Sequence, residues 1–188
     1  MGAASAIYRR DVNVVLTLKK LVIWTSEDPF GTTNSYDQLS KYRNYNLTNR
    51  ASEPRDTAHL LSYAPGQGGL SYLGGLCNST YGFGVSNLDA DAVFPVGNYH
   101  WDVFVISHEL GHQFGSAHSH CYNPPLDCCY NEPQGCNMCP VTAPEDGSLM
   151  SYCHLYGRAS LYFHPRSVAV MRAKAEQSTC LSLSLIHI

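Results

Sequence analysis

The sequence contains no apolar run long enough to cross a membrane and no long block of charges of one sign. A membrane helix needs about 20 consecutive apolar residues, so we expect no membrane partner. The net charge is -3 and the lysines and arginines are scattered, which leaves no basic surface for nucleic acid. We therefore expect no nucleic-acid partner, and the function must be sought in individual residues.

Internal repeats, low-complexity linkers and a recognisable signal peptide are also absent. The chain has 188 residues, 44% of them hydrophobic, which suffices for one sizeable core and is too little for two ordinary domains. We predict one domain over residues 1–182, acting as a monomer. Residues 183–188 read LSLIHI, similar to the translation of a transposon end used in preparing DNA libraries, and we interpret them as a non-native tail.

Cysteine, by contrast, is abundant. Six of the eight cysteines lie between Cys121 and Cys153, including an adjacent pair and one CxxC. No two zinc-ribbon knuckles occur at suitable spacing, so disulfides are favoured over a second metal site. Disulfides are typical of an oxidising, extracellular destination. The pairing among these six cysteines cannot be read from their spacing.

The segment HELGHQFGSAH begins at His108 and carries the strongest chemical signal in the chain. His108 and His112 are one helical turn apart, so both imidazoles project from one face and can reach a single ion. Glu109 follows about 100° further round the helix, where it can contact a bound water without occupying the metal. This spacing predicts two zinc ligands and a general base.

The same segment continues with Gly115 and His118. Glycine tolerates the left-handed backbone that ends a helix and turns the chain, so His118 can approach the ion as a third ligand. The alternative is an ordinary amphipathic helix whose histidines are merely solvated. That alternative leaves a second feature unexplained, the segment SLMSY from Ser148 to Tyr152.

A long zinc motif followed some thirty residues later by a methionine-containing turn resembles the metzincin zinc endopeptidases. Between about Ala3 and Cys180 the amino-acid sequence is most similar to the reprolysin or adamalysin-like M12 group, particularly its secreted microbial branch. The resemblance implies that Met150 packs beneath the three-histidine site without binding zinc.

Two positions depart from the adamalysin pattern. Ser119 follows His118, where adamalysins usually carry aspartate. Tyr152 instead matches astacin-like and serralysin-like members, in which this tyrosine binds zinc or stabilises the tetrahedral intermediate. We treat Tyr152 as a tentative catalytic residue, the alternative being a tyrosine packed under the turn.

The resemblance also implies an architecture. We expect an α/β (α+β) zincin domain of metzincin type, with a twisted mixed sheet, an active-site helix, a Met-turn and a C-terminal helix. A Cys77–Cys180 disulfide and an extended substrate paired with a strand within Gly68–Cys77 are expected as well. The resemblance further implies that the chain starts inside the first helix of the catalytic domain. Its first strand, a pro-segment and a signal peptide are therefore expected upstream, and we expect the protein to be secreted.

Hydrophobic periodicity places the individual elements. It predicts a helix near the start, a long strand at 11–25, a helix at 35–50, a strand at 56–63, a loop or short strand at 81–95, the active helix from Trp101 or Asp102 and a closing helix at 164–180.

The predicted activity is zinc-dependent endopeptidase. Three neutral imidazoles would lower the pKa of the bound water towards 7, and Glu109 would take its proton. Activity should then fade as the pH falls through the histidine range near about 6.5. The rival functions are a different zinc hydrolase, such as a pappalysin-like peptidase or an amidase, and a non-catalytic zinc-stabilised binding module, against which Glu109 argues.

Some polar residues receive no role in this chemistry. His100, His120, His154 and His164 are interpreted as solvated or supporting histidines. The tripeptides NLT and NST make Asn46 and Asn78 candidate glycosylation acceptors, although short sequons arise by chance.

Overall fold

Four helices and a three-stranded sheet make up the described part of the chain. The computed structural model describes residues 1–31, 34–63, 67–89, 100–131, 136, 139–140 and 146–182, so the predicted tail at 183–188 lies outside the described residues. The α-helices and strands are α1 (Gly2–Asp11), α2 (Ser35–Asn49), β1 (Ala58–Ser62), β2 (Gly69–Ser71), β3 (Phe83–Asn87), α3 (Trp101–Gln113) and α4 (Pro165–Gln177). Two short 3₁₀ helices span Ser119–Cys121 and Cys153–Tyr156. None of the helices in these ranges is both long and apolar enough to cross a membrane.

The sheet is mixed, with strand order β1-β3-β2. β1 pairs with β3 in parallel and β2 pairs with β3 antiparallel, so β3 is central and all five of its residues are buried. Its side chains alternate: Phe83 and Val85 join the cluster under α2, while a Cβ on Gly84 would lie 2.6 Å from Nε2 of Gln113 in α3. Glycine at this position therefore lets α3 pack closely on the sheet.

Two apolar clusters hold these layers together. The smaller one joins Phe30 and Leu39 to the sheet. The larger one lies beyond α3 and includes residues of α1, α3, α4 and the turn after Ser148. Within it, the buried Tyr8 of α1 donates a hydrogen bond from its hydroxyl to the Ser107 carbonyl of α3 at 3.0 Å. The active helix is therefore packed from both sides.

Local capping accounts for the helix ends. The Asn34 side chain accepts a hydrogen bond from the Asp37 amide at 2.8 Å and so caps α2. α4 begins with Pro165, whose fixed φ suits the first helical position. Gly115, with φ +90°, turns the chain just after α3.

The fold class and most elements agree with the sequence-based expectations, including a helix near the start, the first residue of α3 and the closing helix. The 81–95 segment contributes the short strand β3, and 90–99 lies outside the described residues. The long strand predicted at 11–25 is wrong, since these residues pair with no strand in the described ranges. Alternating β-branched residues favour extended backbone, but a strand also needs a neighbour to bond with. Here Val14 and Leu16 pack on the larger cluster while Leu18, Leu21 and Ile23 are exposed.

All eight cysteines are paired, which confirms the disulfide interpretation over a second metal site. Cys77 is bonded to Cys180, as the family resemblance implied. The other bridges are Cys121–Cys136, Cys128–Cys139 and Cys129–Cys153. The CxxC motif is thus divided between two bridges.

His59 in β1 is a half-buried, neutral histidine next to the central strand β3. Its Nε2 lies 2.8 Å from Oγ of Ser86, and burial lowers the pKa of His59 from 6.5 to about 4. Between these two pH values the unfolded chain binds a proton on His59 that the folded chain does not. The free energy of unfolding therefore falls as the pH drops through this window, by at most about 3 kcal/mol from this residue.

Replacing His59 with glutamine should accordingly make the protein less sensitive to acid. We expect the loss of stability between about pH 7 and pH 4.5 to be smaller in His59→Gln than in the unaltered protein, because glutamine takes up no proton. Denaturant unfolding of both proteins in a chelating buffer measures this without a contribution from bound metal. Equal losses in the two proteins would contradict the assignment.

Candidate functional site

The three predicted ligands meet at one point above α3. Nε2 of His112 lies 3.1 Å from Nε2 of His108 and 3.0 Å from Nε2 of His118. His108 and His112 project from consecutive turns of α3, and the turn at Gly115 brings His118 back towards them. Nitrogens that bind a tetrahedral zinc ion at about 2.0–2.1 Å lie only a few tenths of an ångström further from one another than these Nε2 atoms do.

The proton positions on two of these rings follow from their backbone partners. Nδ1 of His108 lies 2.6 Å from the Leu149 carbonyl, and Nδ1 of His112 lies 2.8 Å from the Ser116 carbonyl. Because a carbonyl oxygen only accepts, each Nδ1 carries the proton and each Nε2 presents a lone pair. Unprotonated nitrogens facing one another at this distance repel unless a cation lies between them. The donor set therefore fits zinc.

Burial keeps these histidines neutral. The pKa of His108 is well below 6.5, and that of His112 is lowered to about 3, in both cases mainly because burial disfavours the charged ring and secondarily because the neighbouring histidines repel a second charge. A neutral imidazole is the form that binds metal.

The chain around Met150 supports the site from below. Sδ of Met150 would lie 2.6 Å from a Cβ on Gly111, so the fully buried methionine packs directly against the middle of α3. The Met150 carbonyl accepts a hydrogen bond from the Ser119 amide at 2.8 Å, next to His118. This turn therefore contacts α3 and the chain that carries the third histidine.

Glu109 is buried between α3 and the edge strand β2. A Cβ on Gly69 would lie 2.5 Å from Cδ of Glu109 and closer still to its Cγ and Oε1. Burial raises the pKa of Glu109 to about 8, and the hydroxyl of Ser71, two residues along the same face of β2, acts in the opposite direction. Glycine at position 69 is the feature that makes room for this carboxyl group, and nothing in the motif spacing could have identified it.

Replacing Gly69 with alanine is expected to displace the Glu109 carboxyl group. If Glu109 is the general base that the sequence predicts, kcat for peptide hydrolysis should fall by about 10-fold or more, because displacement of a catalytic group by about 1 Å costs as much as 10²-fold. Zinc content should not change. Gly2→Ala is the matched control, since Gly2 is exposed in α1 and a Cβ there meets no atom within 4 Å. Equal kcat in the two variants would show that Gly69 does not position Glu109.

Tyr152 lies against the histidine site. Its ring centroid is 4.6 Å from that of His118 and 6.2 Å from that of His108. Two residues that the sequence analysis did not assign also contact it: Tyr130, edge-on at 4.7 Å, and the buried His120 at 5.4 Å. The Cys129–Cys153 disulfide joins the residues next to Tyr130 and Tyr152. The sequence could have placed Tyr130 beside Tyr152 only if this cysteine pairing had been known.

A small cavity of 80 Å³ opens beside Glu109. Its walls include Trp101, Phe104 and Val105 from the first turns of α3, and Tyr152 and His154 from the other side. His154 packs on Trp101 and Phe104 with ring centroids 5.6 and 5.0 Å apart, so it belongs to the cavity wall and not to the histidine triad. Of the other unassigned histidines, His164 caps α4 through its Nδ1 and His100 precedes α3.

Residues 1–163 match the family model described as metallo-peptidase family M12. The chain belongs to metallopeptidase family M12. This match confirms the reprolysin-like resemblance noted in the sequence and covers α1, the sheet, α3 and the Met150 turn. M12 peptidases are zinc-dependent, and this M12 chain brings together a histidine triad that could bind zinc. Its four disulfides are typical of extracellular proteins.

Proposed function

We propose that this M12 chain is a zinc endopeptidase that cleaves internal bonds of protein substrates. The observation that carries the proposal is the histidine triad, in which Nε2 of His112 lies 3.1 Å from Nε2 of His108 and 3.0 Å from Nε2 of His118. The Glu109 carboxyl group belongs to the residue next to His108 and lies beside β2, whose second edge no other described strand pairs with. His108, His112 and His118 are the ligands in this proposal.

Each group has a distinct task. When bound, zinc would supply a Lewis acid that polarises the peptide carbonyl and acidifies water. Glu109 accepts the proton of the attacking water on its carboxylate and returns it to the leaving amine. A cation at the triad favours the ionised form of Glu109 and so opposes the rise in its pKa caused by burial. Met150 supports the rings from below and binds no metal.

The substrate lies extended along β2. This strand pairs with β3 on one side, and among the described residues no strand pairs with its other edge. An unpaired edge offers backbone N–H and C=O groups to an extended peptide, which adds as a further strand. Gly69 in this strand contacts Glu109, so a peptide paired here passes the proposed base.

The cavity beside Glu109 accommodates one substrate side chain. Its aromatic and aliphatic walls, from Trp101, Phe104 and Val105, favour an apolar residue next to the cleaved bond. A panel of peptides that differ at one position tests this preference. We further infer that the protein acts outside the cell, because its four disulfides are typical of an oxidising compartment.

A substrate screen tests the proposed function. The chain loaded with zinc is incubated with casein, gelatin and small amides, with and without a chelator. We expect internal cleavage of the proteins, little reaction with the amides, and no activity in the chelator. Cleavage of amides alone would favour an amidase, and zinc binding without any turnover would favour a non-catalytic module.

Replacing Tyr152 with phenylalanine tests its tentative role. If the hydroxyl bonds the oxyanion only in the transition state, kcat should fall by up to about 10²–10³-fold while KM and zinc content change little. Tyr156→Phe is the matched control, because Tyr156 lies nearby in the chain and is exposed. An unchanged kcat in Tyr152→Phe would mean that the ring only packs under the turn.

A further inference from the structure

The two Asn-X-Thr tripeptides of the chain occupy opposite structural settings. Asn46 lies in α2, and Asn78 lies in the turn between Cys77 and β3. A glycan on the asparagine Nδ2 is bulky and polar, so a folded protein tolerates it only where that nitrogen faces solvent. The tripeptide pattern alone does not distinguish the two sites, whereas burial and hydrogen bonding do.

Asn46 cannot carry a glycan in the folded protein. Its side chain is only 4% exposed, and its Nδ2 donates a hydrogen bond to the Tyr42 carbonyl at 2.8 Å. The next residue, Leu47, packs against the cluster between α2 and the sheet. A sugar on this nitrogen would have to displace α2 from the sheet.

Asn78 is exposed, and its side chain is already oriented by the backbone. Its Oδ1 accepts hydrogen bonds from the amides of Thr80 and Tyr81, both at 2.9 Å. Its Nδ2 donates no hydrogen bond to any other residue that the structure describes. The carboxamide is thus held by its oxygen and presents its nitrogen to solvent.

The turn that carries Asn78 is fixed on the protein surface. Cys77 is bonded to Cys180, and the Thr80 carbonyl accepts a hydrogen bond from Nε of Arg43 at 2.7 Å. The guanidinium group of Arg43 also lies 4.8 Å from the centroid of the Tyr81 ring. Asn78 is not among the residues that line the cavity beside Glu109.

We propose that Asn78 is an acceptor for N-linked glycosylation, and that Asn46 is not, when the chain passes through a eukaryotic secretory pathway. The donor is an oligosaccharide linked to a lipid pyrophosphate. Nδ2 of Asn78 forms a bond to the anomeric carbon, the bond from that carbon to the phosphate oxygen breaks, and the amide loses one proton. The modification is independent of the peptidase activity and can be tested whether or not that activity is found.

The test uses the third residue of each tripeptide. Thr80→Ala removes the hydroxyl that the transferase requires but keeps the backbone amides that orient Asn78, and Thr48→Ala, at an exposed position of α2, is the matched change at the other site. The full chain is expressed in yeast behind a secretion signal. Enzymatic deglycosylation in ¹⁸O-labelled water followed by peptide mass spectrometry then gives the occupancy of each asparagine.

We expect one glycan per secreted chain, on Asn78. It should be lost in Thr80→Ala and unaffected in Thr48→Ala. Chains retained in the cell are analysed in the same way, so the outcome does not depend on the secreted yield. An unmodified Asn78 in both fractions, or a glycan on Asn46 in secreted chains, would overturn the proposal.

Discussion

Replacing Glu109 with glutamine is expected to lower kcat for peptide hydrolysis by about 10²-fold or more while the protein keeps its zinc. Glutamine preserves the size of the side chain and fits the space beside Gly69, but its amide cannot accept the proton of the attacking water. Zinc content should be unchanged, because the ligands lie on other residues. Steady-state kinetics on one peptide together with metal analysis of the same sample measures both quantities.

Glu53→Gln is the matched control for this experiment. Glu53 is a surface carboxylate paired with Lys20 at 2.6 Å, so the same chemical change there should leave turnover unaffected. Wild-type turnover in Glu109→Gln would mean that another group takes the proton. Loss of zinc in Glu109→Gln, with zinc retained in Glu53→Gln, would instead mean that the substitution disturbs the histidine triad. That result would exclude a purely catalytic role for Glu109.

Replacing His118 with alanine is expected to remove zinc and activity together. The two remaining ligands lie on one helix and cannot enclose an ion, since the third direction is supplied by the chain after Gly115. Loss of a supporting partner of a ligand costs about 10–100-fold in metal affinity, so loss of a ligand should cost more. Metal analysis after dialysis against a weak chelator, with peptide hydrolysis measured in parallel, tests this expectation.

His154→Asn is the corresponding control, because His154 packs on Trp101 and Phe104 outside the triad. It should keep one zinc per chain. Stoichiometric zinc retained in His118→Ala, with the control unchanged, would refute the assignment of three ligands.

The part of the site that depends on local geometry could be read from the sequence. The helical repeat places His108 and His112 on one face, and Gly115 permits the turn that returns His118 to them. These positions are separated by few residues, so the backbone geometry of one helix and one turn fixes where they lie. The start of α3 and the presence of α4 were predictable for the same reason.

Contacts between distant segments were decided only by the tertiary structure. Gly69 and Glu109 are forty residues apart in sequence, and their contact exists because α3 packs against the edge of the sheet. The edge-on contact of Tyr130 with Tyr152 depends on the Cys129–Cys153 bridge, whose partners the crowded cysteine spacing could not reveal.

The same distinction explains the incorrect strand and the two sequons. Alternating residues at 11–25 determine which side chains can face a core, but a strand forms only when a neighbouring backbone supplies hydrogen bonds, and no such neighbour exists in the described ranges. Asn46 and Asn78 share a pattern, and only packing buries one amide and exposes the other. The sequence alone therefore determined the spacing of the proposed ligands, the position of the proposed base and the family, because these are properties of contiguous residues. Burial, pairing partners and the room around Glu109 were decided by the fold, because each depends on chain segments that meet only after folding.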